Sequence, residues 1–411
     1  MNTVEKTPLQ HLVSIPVIVA ALGYFVDIYD LLLFGIVRLP SLREMGLSEE
    51  ETFSVGTSIL NWQMTGLLIG GIFWGILGDK KGRLSVLFGS IITYSLANIA
   101  CGFVTDPTLY KLLRFIAGTG LAGELGAGIT LVSEILPKRL RAIGTSFVAG
   151  VGLLGAVVAY FTVEFFAWRT AYFVGGGMGI SLLLLRLGVF ESGVFKDVQK
   201  RDSVKRGNFL SLFTNTERLT RYLKCIGMGL PTWFVIGILA TFSNEFGMAL
   251  GITETIKPGL SIMWCYIGLS VGDIASGFVS HQLKSRKKAV FYFMLLTTVT
   301  SFAYLFGGIK SPSVLYAITL LLGFGIGYWA MFVTIGAEQF GTNLRATATT
   351  TIPNMVRGTV VLMTTAFAYF KTGFSVPIAG AIVGLVCFAI GFYSILTIRE
   401  THDRDLDFLE V

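Results

Sequence analysis

Long apolar runs, each long enough to cross a bilayer, follow one another along the whole chain with short polar turns between them. Twelve fall near residues 13–37, 54–78, 84–105, 109–134, 143–166, 170–190, 223–247, 258–281, 289–309, 313–336, 348–370 and 376–398. They show no alternation of period two and are about twice the length of a barrel strand, so helices rather than a closed barrel satisfy the backbone in lipid. One long polar interruption, ESGVFKDVQKRDSVKRGNFLSLFTNTERLTRY (191–222), splits the runs into six and six. The pattern predicts an all-α membrane protein of twelve transmembrane helices. Two six-helix bundles, 1–190 and 223–411, flank a cytoplasmic basic linker at 191–222, and a short tail follows the last run.

Composition agrees with that reading. Mean hydropathy is +0.71, and only 14% of the residues are charged, against about 25% in soluble domains. The net charge of +7 does not point to nucleic acid, because the basic residues sit in short loops between apolar runs. With the N-terminus cytoplasmic, 22 of the 32 lysines and arginines face the cytoplasm, 7 face outward, and Arg114, Arg186 and Arg357 lie within runs. Both termini are therefore expected in the cytoplasm. The four cysteines each fall inside an apolar run without paired spacing, which predicts neither a disulfide framework nor a metal site. The segment MNTVEKTPLQHLVS lacks a basic n-region and cleavage site, so the first run is expected to be retained.

An internal repeat supports the division. Glu134-Ile-Leu-Pro-Lys-Arg-Leu-Arg141-Ala142 and Glu338-Gln-Phe-Gly-Thr-Asn-Leu-Arg345-Ala346 share the pattern E-x-[LF]-x-x-x-L-R-A at an offset of 204 residues. GILGDKKGR after run 2 has a degraded partner, GFVSHQLKSR, after run 8. Parallel halves of this kind are the mark of a duplicated transporter.

With these motifs the chain resembles the major facilitator superfamily over nearly its whole length. Gly75-x-Leu77-Gly78-Asp79-Lys80-x-Gly82-Arg83 matches that superfamily's signature between its second and third helices. Asp27-Ile-Tyr29-Asp30 in run 1 and LLRFIAGTGLAGELGAG in run 4 are similar to metabolite:proton symporters. Run 2 lacks the Arg-Pro of those symporters, and TGLLIGGIFWGILGD stands nearer to sugar porters and organic-ion transporters. Trp168-Arg169 and Glu191-Ser192 occur broadly among these groups. Only a short loop joins runs 1 and 2 and no N-x-[ST] sequon exists, which fits a bacterial-type protein in the inner membrane. The resemblance implies two pseudo-symmetric bundles around a central cavity, with alternating access as they rock. It also implies a monomer needing no cofactor beyond a proton gradient, with lipid, protons and a small-molecule substrate as its partners.

An ionisable side chain at mid-membrane costs about 2.5–3.5 kcal/mol or more, so each is a functional candidate. Asp30 lies roughly 10 Å below the outer end of run 1 and Arg114 roughly 8 Å below the same surface in run 4, so an ion pair between them is geometrically feasible. Sugar-porter-like proteins couple protons through such a pair, and the resemblance extends that role to these two positions. A permanent structural pair is the alternative. Asp27 shares a helix face with Asp30, and Glu124 lies mid-run among glycines; both are further proton-coupling candidates. Glu124 is equally a packed, neutral acid.

Arg357 is roughly 14 Å deep in run 11, near the bilayer centre. It either binds an anionic substrate group or neutralises an acid such as Asp273 in run 8. Asp27, Asn61, Gln63, Glu245, Asp273, Tyr328 and Trp329 complete the substrate-contact candidates, although packing or an interfacial position explains each neutral or aromatic one singly. Asp79, Arg83, Glu134, Arg141, Glu338 and Arg345 lie at cytoplasmic helix ends, and by resemblance they form a cytoplasmic gate that latches the halves; simple anchoring of the topology is the alternative.

No enzymatic constellation accompanies these charges. GLSVG (268–272) fits G-x-S-x-G but lies inside an apolar run without a strand before it. The three histidines have no metal-ligand spacing, and no Walker loop exists. Run 5 lacks the proline expected of drug antiporters. The sequence thus reads as a secondary transporter of a small polar organic solute, an organic acid, zwitterion or sugar-like metabolite, by proton symport. A facilitative uniporter, an exporter of organic ions and a receptor on the same scaffold remain the alternatives.

Overall fold

A computed structural model describes residues 14–81, 83–124, 136, 141–191 and 209–402. The described residues form helices and turns with no strand. In chain order the helices are α1 (Ile15–Glu44), α2 (Glu49–Lys81), α3 (Arg83–Cys101), α4 (Pro107–Leu121), α5 (Arg141–Phe165), α6 (Trp168–Glu191), α7 (Thr216–Phe234) and α8 (Ser243–Ala249). They continue as α9 (Pro258–Leu283), α10 (Arg286–Phe306), α11 (Pro312–Gly325), α12 (Trp329–Glu338), α13 (Thr342–Gly358), α14 (Val360–Lys371) and α15 (Val376–Thr397). A short 3-10 turn (Phe209–Leu212) precedes α7, and a π turn (Val235–Ala240) follows it.

Among the described residues, each of the twelve apolar runs falls on one of these helices or on a consecutive set of them. Nine of the described helical stretches are long and apolar enough to cross a membrane by themselves. Runs 3, 4 and 11 are not among these nine. In run 3 the described apolar helical stretch is Val86–Cys101. Run 4 is described only as far as Glu124. Run 11 divides between Gly358 and Val360, and α13, which carries its first part, opens with the polar stretch TNLRATATTT. Helix starts follow ordinary rules: Asp106, Ser285 and Ser311 accept backbone amides of the first turn, and proline opens α4, α9 and α11 where no N–H is needed.

The two halves repeat one packing device. In the first, α2 meets α4 where Gly66 and Gly70 face the Phe115 and Thr119 carbonyls; in the second, α9 meets α11 where Gly268 and Gly272 face the Leu320 and Phe324 carbonyls. Any Cβ at these four glycines would collide with backbone, so the helices touch main chain to main chain, the close approach that small residues permit between apolar helices. The halves meet where α2 packs on α13 and α5 packs on α9, and α1 touches both halves with 23 of its 30 residues buried.

Candidate functional site

α1 carries both run-1 acids inward, and each is fully buried. Asp30 meets Arg114 of α4 at 3.0 Å. The same guanidinium donates to the Asn98 side chain at 2.8 Å, to the Asp30 carbonyl at 3.1 Å and to the Gln63 side chain at 3.3 Å. Gln63 in turn donates to the Leu31 carbonyl, and the Tyr172 ring faces Arg114 at 5.4 Å. The pair expected from matched depth therefore forms, inside a cage drawn wholly from the first half.

Glu124 is bound bidentately by Arg186 of α6, one of the two contacts measuring 3.1 Å. Gly23 of α1 faces this pair, and a side chain there would collide with both partners. The sequence reading left Arg186 without a role, although it lies within run 6 and so needs an acid.

Arg357 faces an acid, one of the two roles expected of it, but that acid is Asp27 of the opposite half, at 3.6 Å, and not Asp273. Asp273 instead accepts the Ala330 amide at 3.1 Å, at the start of α12. Both residues belong to the second half, but their side chains leave the helices in different directions. Arg357 is 1% exposed, its Nε and Nη1 have no partner, and its guanidinium lies over the Trp233 ring at 5.9 Å. Around it is a small cavity, lined also by Tyr24, Tyr266, Trp233 and Trp329, with room for one water at most. Of the aromatic candidates, Trp329 thus reaches the cavity, whereas Tyr328 donates to the Met228 carbonyl.

The remaining candidates are committed elsewhere. Asn61 accepts from Thr364 across the halves, and Gln63 belongs to the Arg114 cage. Glu245 is bound by Arg38 at 3.0 and 3.2 Å, away from the cavity. Run 1 ends at Val37, yet the helix continues to Glu44 and keeps Arg38 fully buried. It also meets Asn244, the Thr241 carbonyl and the Phe242 ring. The π turn and the break before α8 expose that carbonyl, and Gly56 leaves room for the arginine stem. Lys257 and Glu164 join the same end of the halves at 2.9 Å.

At the opposite end, Glu338 pairs with Arg286 at 2.7 Å, and the Arg345 Nε donates to the Ala337 carbonyl at 3.2 Å, all within the second half. Glu134 and the side chains of Asp79, Arg83 and Arg141 lie outside the described residues. Across the halves, Asn354 of α13 donates to the Ala122 carbonyl at 2.9 Å.

Known proteins agree with this architecture. The family model of the Major Facilitator Superfamily matches residues 20–357. A putative metabolite transport protein of Haemophilus influenzae is 27% identical, over 94% of this chain and 96% of its own. A putative niacin/nicotinamide transporter of Bacillus subtilis is 27% identical, over 81% and 82%, and a gentisate transporter of Corynebacterium glutamicum is 27% identical, over 78% and 73%. The chain belongs to the major facilitator superfamily, as an integral multi-pass membrane protein that acts as a secondary transporter of small organic solutes and not as an enzyme.

Proposed function

We propose that this transporter imports a small organic carboxylate together with a proton, with the carboxylate seated on Arg357. The observation carrying this reading is the unfinished state of that arginine. A guanidinium offers five N–H donors in a planar fork suited to a carboxylate, and here Nε and Nη1 are buried without partners while Nη2 is 3.6 Å from Asp27. An approaching carboxylate gains those donors in a water-poor cavity, where such contacts are strong. The aromatic rings of Tyr24, Trp233, Tyr266 and Trp329 offer flat faces to the rest of the molecule. The relatives named for niacin and gentisate support this choice, since each of those compounds is a carboxylate on a small ring.

Proton coupling follows from Asp27. In the empty site Asp27 is the counter-ion of Arg357. Once the substrate carboxylate arrives, two anions face one guanidinium, and protonation of Asp27 removes the excess charge. One proton then accompanies each carboxylate. Asp30 stays with Arg114 as the fixed charge one turn nearer the outer face. In this orientation the Arg38–Glu245 network closes the outer face, and its opening admits substrate.

Uptake of labelled nicotinate and gentisate into proteoliposomes, with and without an inward proton gradient, tests the proposal. Accumulation driven by the gradient is expected. Arg357→Ala is expected to abolish saturable uptake, and Asp27→Asn to retain exchange but lose accumulation. Uptake indifferent to the gradient would return the protein to facilitative transport, and unchanged affinity in Arg357→Ala would remove the carboxylate site.

A further inference from the structure

Run 10 is not one helix. α11 ends at Gly325 and α12 begins at Trp329, with a tight turn between them in which the Tyr328 amide donates to the Ile326 carbonyl at 2.7 Å. A helix start at this depth leaves backbone amides that lipid cannot satisfy. One of them is met from outside the run: the Asp273 carboxylate accepts the Ala330 N–H at 3.1 Å. The glycine contact between α9 and α11 brings the acid there, because Gly272 and Gly327 touch backbone to backbone. A negative group at a helix N-terminus is favourable for the helix dipole as well as for the amide.

The first residue of that helix is Trp329, whose ring lines the central cavity, 6.4 Å from Trp233 and 4.9 Å from Phe332. Its other end is tied by the Glu338–Arg286 pair. The direction and register of α12, and with them the position of the Trp329 ring, are thus set at the two ends by two carboxylates.

We propose that Asp273 is a positioning residue of the substrate site: by holding the start of α12 it fixes where Trp329 stands in the central cavity. It touches neither Arg357 nor the space beside it, and acts through the helix it caps. The inference rests on the proposed role of that cavity for its bearing on transport, but its structural core is testable without any substrate.

The full-length protein labelled with 5-fluorotryptophan has six tryptophans, and the 19F resonance of Trp329 is identified by its loss in Trp329→Phe. Asp273→Ala is expected to move that resonance while those of Trp62 and Trp168, remote from the break, stay in place. Asp273→Asn keeps an acceptor oxygen and is expected to leave all six where they were. Should Asp273→Ala fail to fold, Asp273→Ser, with its shorter arm, takes its place and is expected to move Trp329 alike. An unmoved Trp329 resonance in the Ala or Ser variant, or an Asn variant displaced as far as Ala, overturns the proposal. In proteoliposomes the expected effect of Asp273→Ala is a rise of about tenfold in KM for nicotinate with kcat nearly kept, restored in Asp273→Asn. A fall in kcat at constant KM also counts against it. If nicotinate is not carried even by the unaltered protein, the carboxylate reading fails while the resonance shifts still decide the role of Asp273.

Discussion

Arg114 and Arg357 are the same side chain at the same burial, one in each half of the bundle, and their surroundings differ in how much they leave undone. Arg114 meets a carboxylate, two side-chain amides and a carbonyl, all contributed by the first half. Arg357 meets a single carboxylate at 3.6 Å, contributed by the other half. A rocking motion of the halves leaves the first set of contacts intact and pulls on the second. Satisfied buried networks fix helix packing, and unsatisfied ones hold unspent binding capacity. On the proposed function the two halves thus divide the work: one keeps its charge as structure and the other presents it to a ligand.

The largest test of that division is stability. Arg114→Ala abandons Asp30, Asn98 and Gln63 in the interior, and breaking a buried pair from one side costs about 3–5 kcal/mol. In detergent this variant is expected to unfold at a much lower temperature or to aggregate on purification. Arg357→Ala removes one long contact, and Asp27 can then take up a proton, so its unfolding temperature is expected to fall by less than half as much while its transport is lost. Equal destabilisation of the two variants would erase the distinction between them.

Arg38 sharpens the comparison, since its hydrogen bonds to Thr241, Asn244 and Glu245 cross between the halves, with its Nε left without a partner. If crossing is what makes a contact conformational, Glu245→Gln should change the balance of states more than it changes stability. A cysteine at Phe53, which packs on Phe242 and Phe367 beside this network, reports the opening. Its labelling by an impermeant maleimide is expected to rise about tenfold in Glu245→Gln, the equivalent of about 1.4 kcal/mol between the two states. An unchanged labelling rate would make the Arg38 network a packing feature only.

What the sequence could disclose was depth. Hydropathy sets how far each residue lies from the end of its run, and on that basis Asp30 and Arg114 could be matched before any coordinates. It does not set the direction in which a side chain leaves its helix, which neighbouring helices decide. Hence Arg357 was offered Asp273, in the same half, and found Asp27. Hydropathy also ends a run where side chains turn polar, and the helix need not stop there: Arg38 stands one residue past the end of run 1 and is still helical and buried. Glu124 was recognised without Arg186 because each was judged alone. The break in run 10 had its glycines in view, in GFGIGYW, but Gly268 and Gly272 show that glycines in an apolar run also pack within an unbroken helix. Which of the two occurs depends on whether a partner such as Asp273 waits for the freed amides.

The smallest effect concerns a group as fully hydrogen-bonded as Arg114 but standing outside the spans. Glu400 accepts the Ser285 hydroxyl and the amides of Arg286 at 3.1 Å and Lys287 at 3.3 Å, and so caps α10 from beyond the end of α15. Partial burial pushes its carboxyl up, but the Ser285 hydroxyl and the His402, Thr401 and Arg286 amides outweigh this and hold it below the usual carboxylate range. With the folded value depressed, the unfolded chain binds more protons. The stabilisation is therefore present above the ordinary carboxylate pKa and fades as pH falls through the lower, folded value. Because Glu400 is largely exposed, solvent screens the interaction, and Glu400→Gln is expected to change stability near pH 7 by no more than about 1 kcal/mol. Its unfolding temperature, followed from pH 7 to about pH 3.5, should converge with that of the unaltered protein at the acid end. Parallel curves would mean that Glu400 contributes through hydrogen-bond geometry alone. Convergence would show the same completeness of bonding that makes Arg114 indispensable in the membrane contributing little where water can replace it.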